Sequence, residues 1–542
     1  MSPILTFVLL SAVFFIYYIS HEQQKPPAGL RRVPGPPGWP LVGNTLQLTS
    51  QPQRQLQAWS QKYGELFKIR IGWHDWVFVN DPGAVKEIFD KQSAVTSGRV
   101  PMPVASDLIS GGKRFLLMSY TSEWRKLRAI VHKLLTPKVS ETFRPSQEFE
   151  AKQMIHEIYQ DSQKLNEESF YLHVRRYTTS VVMTSTYGKR IPQWDCEDIR
   201  EVYGLMKEFS DATAPGAFVA DMIPPLVEII PSWLQWWRKR AHKYSERQTR
   251  LWMKYWNDLQ CAIKENRAPD CFVKQFVETD YVKQGIDEVQ AAYVAGTMIE
   301  AGSETTSSAL NSAIKYLAAF PDVQKKANVE LTKAVGDNRS PTFEDEADLP
   351  YIRAMVKEIL RIRPVTNIGT PHFTTADIKY KDLHIPKGTV VSINQYALHY
   401  DARYDRPEDF IPDRYLNHHL KAGAYSAHPD PFERDHFGFG AGRRICPGMH
   451  LAENSLLITL AKLLWAFEIL PPVDEHGKPE KIDVSDDAYE DGGNTLPKPY
   501  RIRFRVRNKT RADVLEAEWE KARVEGYYLG STRVDAKGMM VS

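Results

Sequence analysis

The stretch Phe439-Gly440-Ala441-Gly442-Arg443-Arg444-Ile445-Cys446-Pro447-Gly448 constrains this chain more tightly than any other part of it. It carries one cysteine out of a glycine-rich turn and into an apolar helical run that begins near Met449. Glycines let a backbone turn tightly and approach a neighbour closely. A thiolate just ahead of a helix receives backbone N–H groups and the positive end of the helix dipole, which stabilise its charge and suit it to a metal. A lone cysteine is ordinarily a buried structural residue, but the ten-residue pattern around this one favours a ligand loop. The other cysteines, Cys196, Cys261 and Cys271, share no CxxC spacing, which argues against a disulfide framework and a structural zinc site and fits a reducing setting.

The rest of the chain must build a scaffold for that loop. Its 542 residues are enough for a large core, and 70 basic against 67 acidic residues give a globular balance that does not suggest nucleic acid as a partner. Residues 4–19 are uncharged and strongly apolar, about 24 Å long as a helix at about 1.5 Å per residue. Lys25, Arg31 and Arg32 follow that run and nothing basic precedes it, which favours a retained transmembrane signal anchor at 1–20 with the remainder cytosolic. Residues 21–43 read as a stiff proline-rich linker. A short helix at 54–63 and strands at 66–71 and 77–79 open a small β region, and helical periodicity dominates 122–464 apart from a strand-like block at 371–393. The expected fold is mainly α with a small β region, forming one catalytic domain at 44–508, with a polar extension at 509–542 that is a surface helix or disordered.

Three further patterns carry chemistry. In Ala301-Gly302-Ser303-Glu304-Thr305-Thr306, inside a helix expected over 287–317, Gly302 removes a side chain where a flat ligand could approach. Thr305 can bond back to a carbonyl, and an acid beside a hydroxyl offers a proton relay. Glu358 and Arg361 share one helix face at i,i+3 spacing, an ordinary surface pair if taken alone. Trp124 and Arg128 stand four apart on another helix, and His372 follows Pro371 in the strand-like block.

Together these patterns resemble the cytochrome P-450 family, from about Pro34 to Arg507, through its FxxGxRxCxG, acid-alcohol, ExxR, PxxFxPxR and WxxxR motifs in the family order. The resemblance implies the P-450 fold and haem b, with Cys446 as the axial iron ligand, Phe439 shielding it and Gly442 turning the loop. Arg444, Trp124, Arg128 and His372 would contact haem propionates, with Ala301 and Gly302 over the haem face. Glu304 and Thr305 would deliver protons to bound dioxygen, and Glu358, Arg361 and Arg414 would form a structural triad.

The implied activity is monooxygenation of a lipophilic small molecule, most simply hydroxylation, by an enzyme like the microsomal ones of fungal secondary metabolism. No reductase segment is visible, so electrons would come from an NADPH-cytochrome P-450 reductase, with cytochrome b5 as a second donor, at the endoplasmic reticulum membrane. Arg125, Lys126, Lys133 and Lys138, on or just after the Trp124 helix, read either as a docking face for such a donor or as an ordinary solvated charged helix. Specificity would reside in 100–115, 206–222, the helix near Met298 and Ala301, 365–368 and 492–496, all apolar with few charges. The stretch 218–237 is suited either to a membrane surface or to ordinary core. Oxidative coupling, ring closure, peroxide-driven chemistry and a haem-based sensor or carrier stay open at this point.

Overall fold

A computed structural model describes residues 26–541 apart from 40, 41, 49, 215 and 491. The anchor expected at 1–20 lies outside the described residues. Among those described, no helix is long and apolar enough to cross a membrane.

Helix α1 (Pro52–Tyr63) leads into the hairpin β1 (Leu66–Ile71) and β2 (His74–Val79); β1 has the expected limits, and β2 begins at His74, ahead of the expected Val77. Strands β3 (His372–Phe373) and β4 (Val390–Ile393) complete a four-stranded sheet in the order β1-β2-β4-β3, with β2 and β4 parallel. The described part of the proline-rich segment is no free linker. Arg31–Arg32 pairs with Leu383 and His384, Val33 is buried in the core beside Leu66 and Val77, and Lys68 N–H donates to Pro34 O at 2.7 Å. An apolar residue and strand-like backbone were available there, and the sheet region used both.

The helical body contains α2 (Ser122–Leu134), α3 (Arg144–Gln163), α4 (Phe170–Tyr187), α5 (Glu197–Thr213), α6 (Trp237–Lys264), α7 (Glu288–Ala319), α8 (Pro350–Ile362) and α9 (Met449–Ala466). Side-chain caps set two of the starts: Thr121 accepts from Trp124 N–H ahead of α2, and Asp287 accepts from Gln290 N–H ahead of α7. Helix α7 bridges two cores. Its first half packs Ala291, Val294 and Ala295 with Trp252 and Trp256 of α6, and its second half packs Leu310, Ile314 and Leu317 with Tyr177 of α4 and Leu460 of α9. Between them Ala301, Glu304 and Thr305 belong to neither core and are not fully buried, which leaves their faces available for chemistry. The stretch 218–237 divides: Phe218 and Trp237 are buried, whereas Trp233 and Trp236 are exposed.

The polar extension is folded onto the body. Helix α10 (Lys509–Glu525) and the hairpin β5 (Tyr527–Leu529) and β6 (Thr532–Val534) bury Ala522, Tyr527, Leu529 and Val534 against Phe143 and Phe149 at the start of α3. Arg511 is 2% exposed and donates to Asp337 Oδ1 at 2.8 Å and Trp465 O at 2.6 Å. Its few apolar residues were too sparse to announce this packing. Removing residues 509–542 should cost roughly 5 kcal/mol or more, at about 1.5–3 kcal/mol for each large apolar side chain uncovered. Thermal unfolding should show a drop of roughly 5–10 °C, and an unchanged transition would mean that the extension only rests on the surface.

Candidate functional site

The cysteine loop is fixed by its own backbone before any side chain acts. Cys446 N–H donates to Phe439 O at 2.9 Å and closes the turn ahead of α9. Gly442 has φ +64°, and a Cβ there would stand 2.0 Å from Phe89 O, so both the left-handed backbone and the close approach exclude other residues. Its N–H donates to Asp90 Oδ1 at 2.9 Å, and Asp90 also pairs with Arg434. Burial pushes the partly buried Cys446 thiol up, while the Gly448 N–H and the Arg128 guanidinium pull it down.

Around this loop gather cations with no carboxylate partner among the described residues. Arg444 donates to Ser97 O at 3.0 Å and Met118 O at 2.7 Å, with its guanidinium 3.8 Å from the Trp124 ring centroid. Burial, with Arg99 and Arg128 nearby, pulls its pKa down to about 8. Arg128 donates to Ile445 O, and burial lowers its pKa as well. Arg99 donates to Leu116 O at 3.0 Å, Thr370 O at 3.2 Å and Pro371 O at 2.7 Å, and burial holds it at about 10. Sequence reading missed Arg99, which stands in no motif. Its signal is only that it follows Gly98, whose backbone pairs with Phe373.

Trp124 stacks on Phe115 and gives its indole N–H to Phe115 O at 3.3 Å. His372 Nδ1 lies 2.8 Å from Thr96 O and therefore carries the hydrogen, since a carbonyl only accepts. Burial, with Arg99 and Arg444, keeps that imidazole neutral.

On α7, Thr305 Oγ1 donates back to Ala301 O as expected, and Ala301 is exposed. Gly302 does something else. A Cβ there would meet Val182 Cγ2 at 2.6 Å, so the missing side chain admits helix α4, and the sequence reading of a ligand-facing glycine is corrected. Glu304 accepts from Asn494 Nδ2 at 2.8 Å and lies 3.7 Å from Arg175 Nη2, two partners that no motif pointed to.

The i,i+3 pair is no surface pair, because both side chains are fully buried. Arg361 grips Glu358 through Nε at 2.7 Å and Nη2 at 2.8 Å, and its Nη1 donates to His399 O and Pro407 O. Burial alone would lower the Arg361 pKa, but Glu358 reverses this and raises it. Arg414 Nε reaches Glu358 Oε1 at 3.4 Å, as does Ile411 N–H at 2.9 Å, so the three residues meet.

A family model described as Cytochrome P450 matches residues 33–491. Cytochrome P450 monooxygenase pgmC of Aspergillus terreus is 42% identical over 513 residues, covering 94% of this chain and 93% of that one. Cytochrome P450 monooxygenase verL of Clonostachys rogersoniana is 38% identical over 499 residues, 91% and 90% of the two chains, and yanC of Aspergillus niger is 35% identical over 502, 91% and 92%. The chain belongs to the cytochrome P450 family and is a monooxygenase of that class. The family implies haem iron with a cysteine thiolate, and the site fits it: one thiol on a rigid turn, with three guanidiniums that have no carboxylate partner among the described residues, suits a metal-bearing group with acid side chains.

Thr305→Ala removes the hydroxyl beside Glu304. It should slow product formation by roughly tenfold or more and raise the share of electrons appearing as hydrogen peroxide. Unchanged coupling of electrons to product would place that hydroxyl outside proton delivery.

Proposed function

We propose that this enzyme inserts oxygen into a lipophilic secondary metabolite, most simply by hydroxylation, using dioxygen and electrons from a separate reductase. The observation that carries this reading is the Thr305 hydroxyl, held against Ala301 O beside Glu304 on the stretch of α7 left free by both cores. When bound, haem would supply the activation of dioxygen at its iron. Cys446 would hold that iron as a thiolate, and Arg99, Arg128 and Arg444, with Trp124 and His372 beside them, would offset and orient the propionates. Glu304 holds and releases a proton at its carboxylate, steadied by Asn494 and Arg175, and Thr305 passes it on through its hydroxyl. That pair favours dioxygen chemistry over peroxide use. The likeness to fungal monooxygenases supports a secondary metabolite as substrate.

Arg125, Lys126, Lys133 and Lys138 are all exposed on or just after α2. Arg443, from the cysteine loop, donates to Tyr120, over whose ring Arg125 also lies. This basic face beside the loop suits an acidic NADPH-cytochrome P-450 reductase, or cytochrome b5.

The membrane reading rests on the sequence of residues 4–19 and on an apolar surface. Trp39, Leu46, Ile229, Trp233 and Trp236 are 62–81% exposed, and their segments are linked through Gly72 N–H to Thr45 Oγ1 and Trp73 N–H to Met222 O. We place the enzyme in the endoplasmic reticulum membrane with a cytosolic catalytic domain.

The reduced protein should show the strongly red-shifted carbon monoxide difference band of thiolate-bound haem, and Cys446→Ala should abolish it. An unchanged band in the variant would remove Cys446 as ligand. Deleting residues 1–20 should weaken sedimentation with membranes while preserving that band, and undiminished sedimentation would shift membrane binding to the apolar surface alone.

A further inference from the structure

The buried triad on α8 and the cysteine loop are joined by a short helix that stands in none of the sequence motifs. This helix, Gln395–His399, follows β4 after Asn394, whose side chain caps it by accepting from Ala397 N–H at 3.4 Å. Its far end is fastened to α8. Arg361 Nη1 donates to His399 O at 2.7 Å, and the hydroxyl of Tyr400, the next residue, donates to Ile362 O at 2.7 Å. Gln395 and His399 stand four apart, which puts them on one helix face, and both are buried.

That face grips one residue of the lead-in to the cysteine loop at both of its backbone groups. Gln395 Nε2 donates to Phe437 O at 2.8 Å, and Phe437 N–H donates to His399 Nε2 at 2.8 Å, across 42 and 38 positions of chain. From there the loop holds itself. Phe437 O also accepts from Gly440 N–H at 2.9 Å, and Phe439 O accepts from Cys446 N–H at 2.9 Å. Two hydrogen-bonded turns therefore separate the hold of His399 from the backbone of Cys446.

The two halves of the grip are unequal. Phe437 O has two donors, so losing Gln395 leaves it satisfied, whereas its N–H has His399 as its acceptor and Phe437 is 1% exposed. Removing that acceptor strands a buried N–H. The role needs a neutral imidazole with its hydrogen on Nδ1, since a protonated ring would present a hydrogen to a hydrogen. Burial, with His436, Arg361 and Arg403 nearby, keeps the ring neutral.

We propose that His399 is a positioning residue for the haem ligand, its imidazole passing the position of α8 and its buried triad to the turns that hold Cys446. Groups beyond the ligand itself commonly set its orientation, and here the group acts through backbone. This rests on Cys446 being the haem ligand.

The test compares the full-length holoenzyme of wild type, His399→Leu and His399→Gln. Each is reduced under carbon monoxide, and the thiolate-type and shorter-wavelength bands are each divided by total haem. Leucine removes the acceptor, whereas glutamine returns an oxygen at about the reach of Nε2. His399→Leu should raise the share of haem absorbing at the shorter wavelength and speed loss of the thiolate band in a fixed, mild urea concentration about tenfold or more, with His399→Gln within about threefold of wild type. An unchanged share and rate in His399→Leu overturns the proposal even if less haem is bound, because a merely structural residue would behave that way. If His399→Leu holds no haem, His399→Gln decides: a normal thiolate band supports the acceptor role, and a defect as severe as that of leucine overturns it. A wild type without the thiolate band defeats the reading of Cys446, and a normal wild type with insensitive variants defeats only the assignment of His399.

Discussion

Three guanidinium groups, those of Arg99, Arg128 and Arg444, share one sheltered region, and none is paired with a carboxylate among the described residues. Like charges in low-dielectric surroundings repel strongly, and desolvation adds to the cost. The chain holds them there with carbonyl oxygens at Ser97, Leu116, Met118, Thr370, Pro371 and Ile445, drawn from four separate segments. The cationic cluster therefore ties the loop before α2, the approach to β3 and the cysteine loop to one centre. A bound group bearing two carboxylates would offset the repulsion and so couple cofactor binding to the packing of this half of the molecule.

The opposite requirement, that Cys446 stay put, is met by backbone contact and buried charge. Gly442 lets Phe89 O come closer than any Cβ would allow, and Asp90 holds the loop through a backbone N–H and Arg434. Behind it, Glu358, Arg361 and Arg414 fasten α8 to the segment around Pro407 and Ile411. Breaking such a pair on one side leaves an uncompensated buried charge, at about 3–5 kcal/mol. The position of the thiol is thus supported by interactions that do not depend on the ligand it carries.

What was legible in the sequence was local or carried by fixed spacing. The cysteine loop, the Thr305 back-bond, the Glu358–Arg361 pair and the limits of α1, α7 and the first hairpin all follow from residues close together in the chain. Burial of the Glu358–Arg361 pair did not follow from spacing, and needed the second motif ending at Arg414. Contacts between distant segments left no such trace. Arg99 finds its partners 17 to 272 positions away, Asn494 meets Glu304 across 190, and Gly302 answers to Val182 on another helix. The C-terminal extension looked polar because its buried apolar residues are spread over a helix and a hairpin that pack on α3 only after folding.

Buried charge in the scaffold is met from several directions at once. Glu150 accepts from Arg176 at 2.6 Å, Arg190 at 2.6 Å and Ser180 at 2.7 Å. Glu358 is matched as fully. Replacing such a network by apolar residues of the same volume is often neutral or stabilising, whereas removing one partner strands a buried charge, so these networks fix which segments meet.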